Sequence, residues 1–249
     1  MNPVPFRSLV SNGPRLALVR SGSRLYGYMF VDMGLLGKKP KDLTGADLSA
    51  AHLEGADLRW ANMKQAILSW SDLTGAQLEG ADMKGARLEA ADLRAANLRF
   101  TNMEGADLTG ADLKGAHMES VVLSEADLSD ADMNGAHMEA ADLRAADLSW
   151  ADLRWANMKQ AILSRADLTG ADLTGTDMKG AHLESADLRA ANLRRTNLEA
   201  ADLRAANLTG ADMRWANLTG ANLTDADMSF AKLDNVKWPE GWKLLRDDK

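Results

Sequence analysis

A strict period of five residues constrains this chain more than any other feature. Leu or Met stands at every fifth position from Leu43 to Leu233, 39 times in succession, without an insertion or deletion. Ala stands two residues before 33 of these positions, so the repeating unit is A-[D/N]-L-x-x. The positions where another residue replaces Ala are Lys41, Ser71, Thr101, Val121, Thr176 and Thr196. Such regularity indicates one small unit stacked many times.

The five-residue period argues against both a long helix and a flat strand. The abundant Ala, Leu, Met, Glu and Arg favour helices by propensity, but five residues advance an α-helix by roughly 140°, which would scatter the Leu positions around its circumference. In a flat strand, an odd period would send successive Leu side chains to opposite faces. A chain that turns a corner once per unit can point every Leu and Ala inward. The sequence therefore predicts an all-β solenoid.

Units such as Ala-Asp-Leu-Thr-Gly at 106–110 and Ala-Asn-Leu-Arg-Arg at 191–195 resemble the pentapeptide-repeat family, and the resemblance covers residues 41–235. It implies a right-handed quadrilateral β-helix with four pentapeptides per coil, in which the central Leu and the preceding Ala face inward. At the strand spacing of about 4.8 Å, just under ten coils would make a rod roughly 47 Å long.

A solenoid has an open edge at each end, so we expect a capping segment at both. Residues 1–40 form the N-terminal one, and we predict a hairpin at 16–32, where two apolar runs flank Ser21-Gly22-Ser23, covering the first coil. Residues 236–249 form the C-terminal one. The capping residues there are Trp238, in a core Leu position, followed by Pro239 and Trp242, an ending that resembles the family's.

The oligomeric state is left open by the sequence. Family members that target gyrase often dimerise through a C-terminal helix. Here the segment from Trp242 onward is short, and it contributes Leu244 and Leu245 as further apolar residues. Both a monomer and a homodimer through the C-terminal cap are compatible with this ending.

Residues 20 apart should stack, so surface columns follow directly from the numbering. We name faces one to four after Leu43, Leu48, Leu53 and Leu58. Face two carries an acidic column bordered by Thr and Ser: Asp107, Asp127, Asp147, Asp167 and Asp187. Face three carries a second column, Asp72, Asp92, Asp112, Asp132, Asp152 and Asp172, with basic residues alongside: Arg94, Lys114, Arg154, Arg194 and Arg214. Because stacked carboxylates repel one another, we expect raised pKa values.

Two interpretations of the face two column remain open. Resemblance to the family's topoisomerase-binding members implies that it imitates a row of phosphates. Alternatively, the position holds Asp 20 times and Asn 9 times, an interchange expected if the side-chain oxygen accepts a local backbone hydrogen bond at the corner.

Large aromatic residues stand at the last position of several repeats, where Gly or Ala is usual. Trp150 and Trp155 fall in the middle of the rod and form a candidate apolar interaction patch. For Trp60, Ile67 and Trp70, burial under the N-terminal segment and exposure to a partner are both compatible with the sequence.

Little in the sequence suggests enzymatic chemistry. The chain has no cysteine, and it has no Ser/His/Asp arrangement or nucleotide-binding fingerprint. His117 and His137 should stack beside Glu119 and Glu139, which we interpret as a solvated ladder rather than a metal site. We therefore expect no catalytic residues, cofactor or metal.

The net charge of −7 argues against direct binding of nucleic acid. No apolar run approaches the length of a membrane span, and a cytoplasmic setting is expected. The sequence predicts a non-enzymatic scaffold for macromolecular interactions with an unidentified protein partner. The alternative is a DNA mimic that binds DNA gyrase or another type II topoisomerase through an acidic face, inhibiting it or protecting it from quinolones.

Overall fold

A computed structural model describes residues 16–17, 20–21, 24–25, 29–30 and 41–242. From residue 42 to residue 237, the chain is held by isolated parallel β-bridges. Each bridge joins a residue to the one 20 positions later, from Asp42 with Asn62 to Asn217 with Lys237. Four repeats therefore complete one turn of a parallel β-helix, as the resemblance to the pentapeptide-repeat family implies. Residues 41–242 contain no helix, and no helix in the described ranges could cross a membrane.

Each repeat contributes one short bonded side and one corner. In the first coil, the Leu43 N–H donates to the Asn62 carbonyl at 2.7 Å, and the Asn62 N–H donates to the Lys41 carbonyl at 2.8 Å. The corner closes where the Ala46 N–H donates to the Leu43 carbonyl at 3.0 Å. The last residue of each repeat takes a left-handed conformation, with φ of 63° at Gly45. That conformation explains why Gly is frequent at this position.

The interior is a continuous column of Leu, Met and Ala side chains. The central positions are buried from Leu43 to Leu223, and those between Met63 and Leu218 are fully buried. Polar replacements of the inward Ala keep their hydroxyl groups hydrogen bonded to backbone carbonyls, as buried polar groups require. These donors are Ser71, Thr101, Thr176 and Thr196.

Four short strands precede the solenoid: β1 (Leu16–Ala17), β2 (Arg20–Ser21), β3 (Arg24–Leu25) and β4 (Met29–Phe30). β1 pairs antiparallel with β4, and β2 pairs antiparallel with β3. The pairs are nested about residues 22–23, where the hairpin is predicted. That this segment covers the first coil stays a prediction, because most of residues 1–40 lie outside the described ranges.

The C-terminal end keeps the phase of the repeat. Trp238 is partly buried against the core, Pro239 is buried and Trp242 is exposed. Leu233 is also only partly buried, so the final coil is less enclosed than the coils before it. The function of residues 236–249 as a cap stays a prediction, and residues 243–249, with Leu244 and Leu245, lie outside the described residues.

Candidate protein-interaction surface

The Asp and Asn residues before each central Leu hold the corners of the rod. At every one of these residues from Asp42 to Asp227, the side-chain Oδ1 accepts the backbone N–H two residues later. On face two, the Ser129 N–H donates to Asp127 at 3.0 Å and the Ser149 N–H donates to Asp147 at 2.9 Å. Asn supplies the same acceptor, as in the 3.2 Å bond from the Glu104 N–H. The local hydrogen bond therefore accounts for the interchange of Asp and Asn.

In the face two column, one of the five Asp residues differs from the other four. Among residues 41–242, no ion pair involves Asp107, Asp127, Asp147 or Asp167. Asp187 differs, because Arg189 Nη2 lies 2.7 Å from its Oδ2. Asp187 is therefore the one member of the five-residue column that forms an ion pair among the described residues. The cause is the residue two positions later, which is Arg instead of the usual Thr or Ser.

The charges of face three largely cancel, as the sequence predicts. Arg94 Nε donates to Asp92 at 2.8 Å, and Arg154 Nε donates to Asp152 at 2.8 Å. Lys114 Nζ lies 2.7 Å from Asp132 Oδ2 and bridges two coils. This face is a strip of alternating, paired charges.

The prediction of raised pKa values is wrong at stacked carboxylates that have an Arg two residues later. The hydrogen bond from Arg94 lowers the pKa of Asp92. At Asp187, partial burial opposes the shift, but the hydrogen bond from Arg189 still lowers the pKa. The guanidinium two residues later therefore lowers the pKa at these positions despite the opposing effect of partial burial.

Trp150 and Trp155 are exposed yet closely packed on one side. Their exposed fractions are 66% and 60%. Each indole lies against the Gly one coil further along: a Cβ built on Gly170 would stand 2.6 Å from Trp150 Cε3, and one on Gly175 would stand 2.4 Å from Trp155 Cζ3. Because these glycines have no side chain, each ring can pack directly against the backbone. Both rings are thereby positioned while their outer surfaces stay open.

The two rings occupy neighbouring corners of one coil. Trp150 stands at the corner between faces two and three, and Trp155 stands at the next corner, between faces three and four. The ion pair of Asp152 with Arg154 lies between them. The patch therefore combines two aromatic side chains with a paired charge, a mixture typical of protein interfaces.

The pairing of Trp with Gly is the feature that sequence reasoning missed. Trp60 lies against Gly80 in the same way, since a Cβ added to that glycine would stand 2.2 Å from Trp60 Cε3. All three pairs are 20 residues apart, so the signal is present in the numbering once the coil length is known. Two further aromatics at the last position of a repeat were also missed, and both are exposed: Phe100 and Phe230.

The large apolar side chains near the start of the solenoid differ in their exposure. Trp60 is 60% exposed and Trp70 is 73% exposed, while Ile67 is partly buried. Whether the N-terminal segment covers these residues stays a prediction, because most of residues 1–40 lie outside the described ranges.

The histidine column is a stacked pair rather than a fully solvated ladder. The rings of His117 and His137 lie 5.0 Å apart and 15° from parallel. Ligand atoms of Glu119, His137 and Glu139 lie within 4.8 Å of one another. However, Arg99 donates to both carboxylate oxygens of Glu119, at 2.8 and 2.9 Å. This occupied carboxylate makes the cluster a poor set of metal ligands.

Comparison with known proteins agrees with this geometry. A family model described as pentapeptide repeats matches eight overlapping segments, at residues 42–80, 71–110, 106–145, 122–160, 146–184, 161–199, 181–220 and 201–237. No curated protein matches the sequence significantly.

Solved structures similar to this chain include two proteins with described roles. HetL, a pentapeptide repeat protein involved in heterocyst differentiation regulation from the cyanobacterium Nostoc sp. strain PCC 7120, is 36% identical with a TM-score of 0.80, over 82% of this chain and 91% of HetL. QnrB1, a plasmid-mediated fluoroquinolone resistance protein, is 20% identical with a TM-score of 0.52, over 66% of this chain and 84% of QnrB1. The likeness to QnrB1 concerns the fold alone. Such proteins form right-handed β-helices, and by its repeats, its 20-residue coil and its likeness to HetL this chain belongs to the pentapeptide-repeat family.

Proposed function

We propose that this chain, as a rod of just under ten coils, is a non-enzymatic scaffold that binds a protein partner through the patch formed by Trp150 and Trp155 at two neighbouring corners. The observation that carries the proposal is that both indoles are largely exposed while each is held against a glycine. An aromatic ring that is already positioned loses little conformational freedom on binding, and Trp is enriched among the residues that dominate interface energies. A regulatory role through binding is also supported by the likeness to HetL, which is described as involved in the regulation of differentiation.

The experiment is affinity capture from a cell extract with three forms of the intact chain. They are the wild type, the double variant Trp150→Ala/Trp155→Ala, and the control Trp60→Ala, which removes a Trp of equal exposure at another corner. We expect a partner that the wild type and the control retain and the double variant loses. Capture of the same proteins by all three forms, with unchanged thermal melting, would refute this patch as the binding surface.

A second candidate function is DNA mimicry toward DNA gyrase. It is favoured by four carboxylates of the face two column, which form no ion pair within residues 41–242: Asp107, Asp127, Asp147 and Asp167. The paired charges of face three and the ion pair at Asp187 restrict such mimicry to four coils of one face. The scaffold remains the primary proposal.

A further inference from the structure

The surroundings of Trp150 identify the chemistry of a partner that would bind there. The exposed indole leans over Gly170, whose repeat begins with Ala166-Asp167, while Asp147 precedes it in its own repeat. Asp130 occupies the same corner one coil earlier. None of these three carboxylates forms an ion pair within the solenoid as described. An open aromatic face bordered by unpaired carboxylates attracts a cation, because the ring and the carboxylates favour positive charge together.

The unpaired carboxylates on face two have definite limits. The column begins after Arg87, which pairs with Glu89 at 2.8 Å, and it ends before Asp187, which pairs with Arg189. Between these limits, Oδ1 of each Asp is occupied by the corner hydrogen bond. The Oδ2 atoms of the four Asp residues accept no hydrogen bond from residues 41–242. A partner would therefore meet four free carboxylate oxygens, in four successive coils, with Trp150 at their edge.

We infer that this surface binds a basic α-helix of a protein partner, lying along the rod axis with an Arg or Lys side chain against Trp150. This inference rests on the proposed scaffold function and specifies its partner. The four coils place carboxylates at about 0, 4.8, 9.6 and 14.4 Å along the axis. Basic residues at positions i, i+3, i+7 and i+10 of an α-helix rise about 0, 4.5, 10.5 and 15.0 Å and lie on one side of that helix. The two series agree to within about 1 Å.

An extended strand fits the same column poorly. Side chains on one face of a strand repeat every roughly 6.6 to 6.8 Å. Along the axis, basic side chains of a strand would therefore lie beside only the first and last of the four carboxylates. Nucleic acid is disfavoured by charge, since its phosphates would face the unpaired carboxylates. The spacing and the sign of the charge thus favour one occupant, a helix with basic residues in that register.

The test uses two fluorescently labelled, alanine-based helical peptides of about 18 residues. Both carry four Arg residues. The first has them at i, i+3, i+7 and i+10, and the second has them at i, i+2, i+5 and i+7, which distributes the charges around the helix. Anisotropy titrations with the full chain at low salt should show the first peptide binding several-fold more tightly. Equal binding of the two peptides would overturn the proposal, since it would mean that only net charge is recognised.

Variants locate the binding surface. Asp147→Asn/Asp167→Asn keeps the corner hydrogen bonds, and we expect it to weaken the first peptide about fivefold, as does Trp150→Ala. The matched control is Asp112→Asn/Asp132→Asn on face three, which removes the same charge from carboxylates already held by Lys114. An equal loss in this control would overturn the assignment to face two. If extract capture depends on Trp150 while neither peptide binds, the scaffold stands and the helix inference fails. If the first peptide binds in register but no partner is captured, the scaffold proposal fails alone.

Discussion

Trp155 lies so close to Gly175 that a Cβ on that glycine would stand 2.4 Å from the Cζ3 atom of the ring. Two residues that are 20 positions apart therefore depend on each other. The indole keeps its position only while the glycine has no side chain. The same relationship joins Trp150 to Gly170. A substitution at either glycine can therefore disturb the proposed interaction patch without altering either Trp.

Gly175→Ala should displace the Trp155 ring, destabilise the rod and weaken partner capture. The control is Gly115→Ala at the same corner, with φ of 60° and no atom within 4 Å of the added Cβ. Both variants incur the cost of a left-handed Ala, about 1–2 kcal/mol, and Gly175→Ala should lose about a further 1–3 kcal/mol from the steric conflict. Urea unfolding measures the difference, and equal midpoints would show that the ring moves aside freely.

Leu128→Ala should lower the stability of the rod by about 2–5 kcal/mol, because the side chain is fully buried and its removal leaves a cavity. Leu128→Asp should prevent folding, since it buries an unpaired charge. Ser129→Ala, at the next position, removes a hydroxyl hydrogen bond to Asp127 on the surface and should cost about 1 kcal/mol or less. Circular dichroism melts compare the three, and similar melting of Leu128→Ala and Ser129→Ala would contradict the inward assignment.

Acid should weaken the rod as the pH falls from about 4 toward 2. The hydrogen bond from Arg59 lowers the pKa of Asp57 to about 2, below the value of about 3.9 expected in the unfolded chain. A depressed carboxyl pKa contributes stability above the unfolded value, and that stability is lost as the pH falls through the folded value. The pKa is lowered in the same direction at Asp92, Asp142, Asp152, Asp187, Asp202 and Asp212.

Arg59→Gln tests this pH dependence at one site. NMR titration of the Asp57 carboxyl should show its pKa rising, and the variant should lose less stability than the wild type between pH 4 and pH 2. Arg165→Gln is the control for charge, because Arg165 forms no ion pair within residues 41–242. An unchanged titration of Asp57 in Arg59→Gln would contradict the assigned cause.

The gyrase alternative makes its own prediction. If face two imitates phosphates, Asp127→Asn/Asp147→Asn/Asp167→Asn should keep the fold and abolish any effect on gyrase in a supercoiling assay. Asn preserves the corner hydrogen bond while removing the charge that attracts a DNA-binding surface. The control triple variant, at Asp112, Asp132 and Asp152, removes charges that Lys and Arg already neutralise. A wild type without effect on gyrase, or identical behaviour of both variants, would refute the mimicry.

The fold could be predicted from the sequence because one period determines it. A Leu at every fifth position can point inward only if the chain turns at each repeat. The number of repeats per coil, which places Asp42 beside Asn62, is implied by the family resemblance and not by the period. The ion pair between Asp187 and Arg189 is also readable, because the two residues are close in sequence, but a column traced through its Asp residues alone does not reveal it. The seating of Trp150 on Gly170 is harder to predict, since it requires knowing that the ring leans toward the following coil and not the preceding one. The numbering shows that Gly170 follows Trp150 by one coil, but which way the ring leans is known only once the backbone is placed.

The corner hydrogen bond of each repeat has a consequence for how such a rod can change over evolution. Asn and Asp both accept that bond, so a single substitution can add or remove one charge while the corner keeps its hydrogen bond. The outer surface is then a grid of exchangeable sites, about 4.8 Å apart along each face, while the Leu and Ala columns keep the same length and shape. The binding specificity of the surface can therefore change by one substitution at a time, and a lineage can exchange partners while the stability of the rod stays nearly constant.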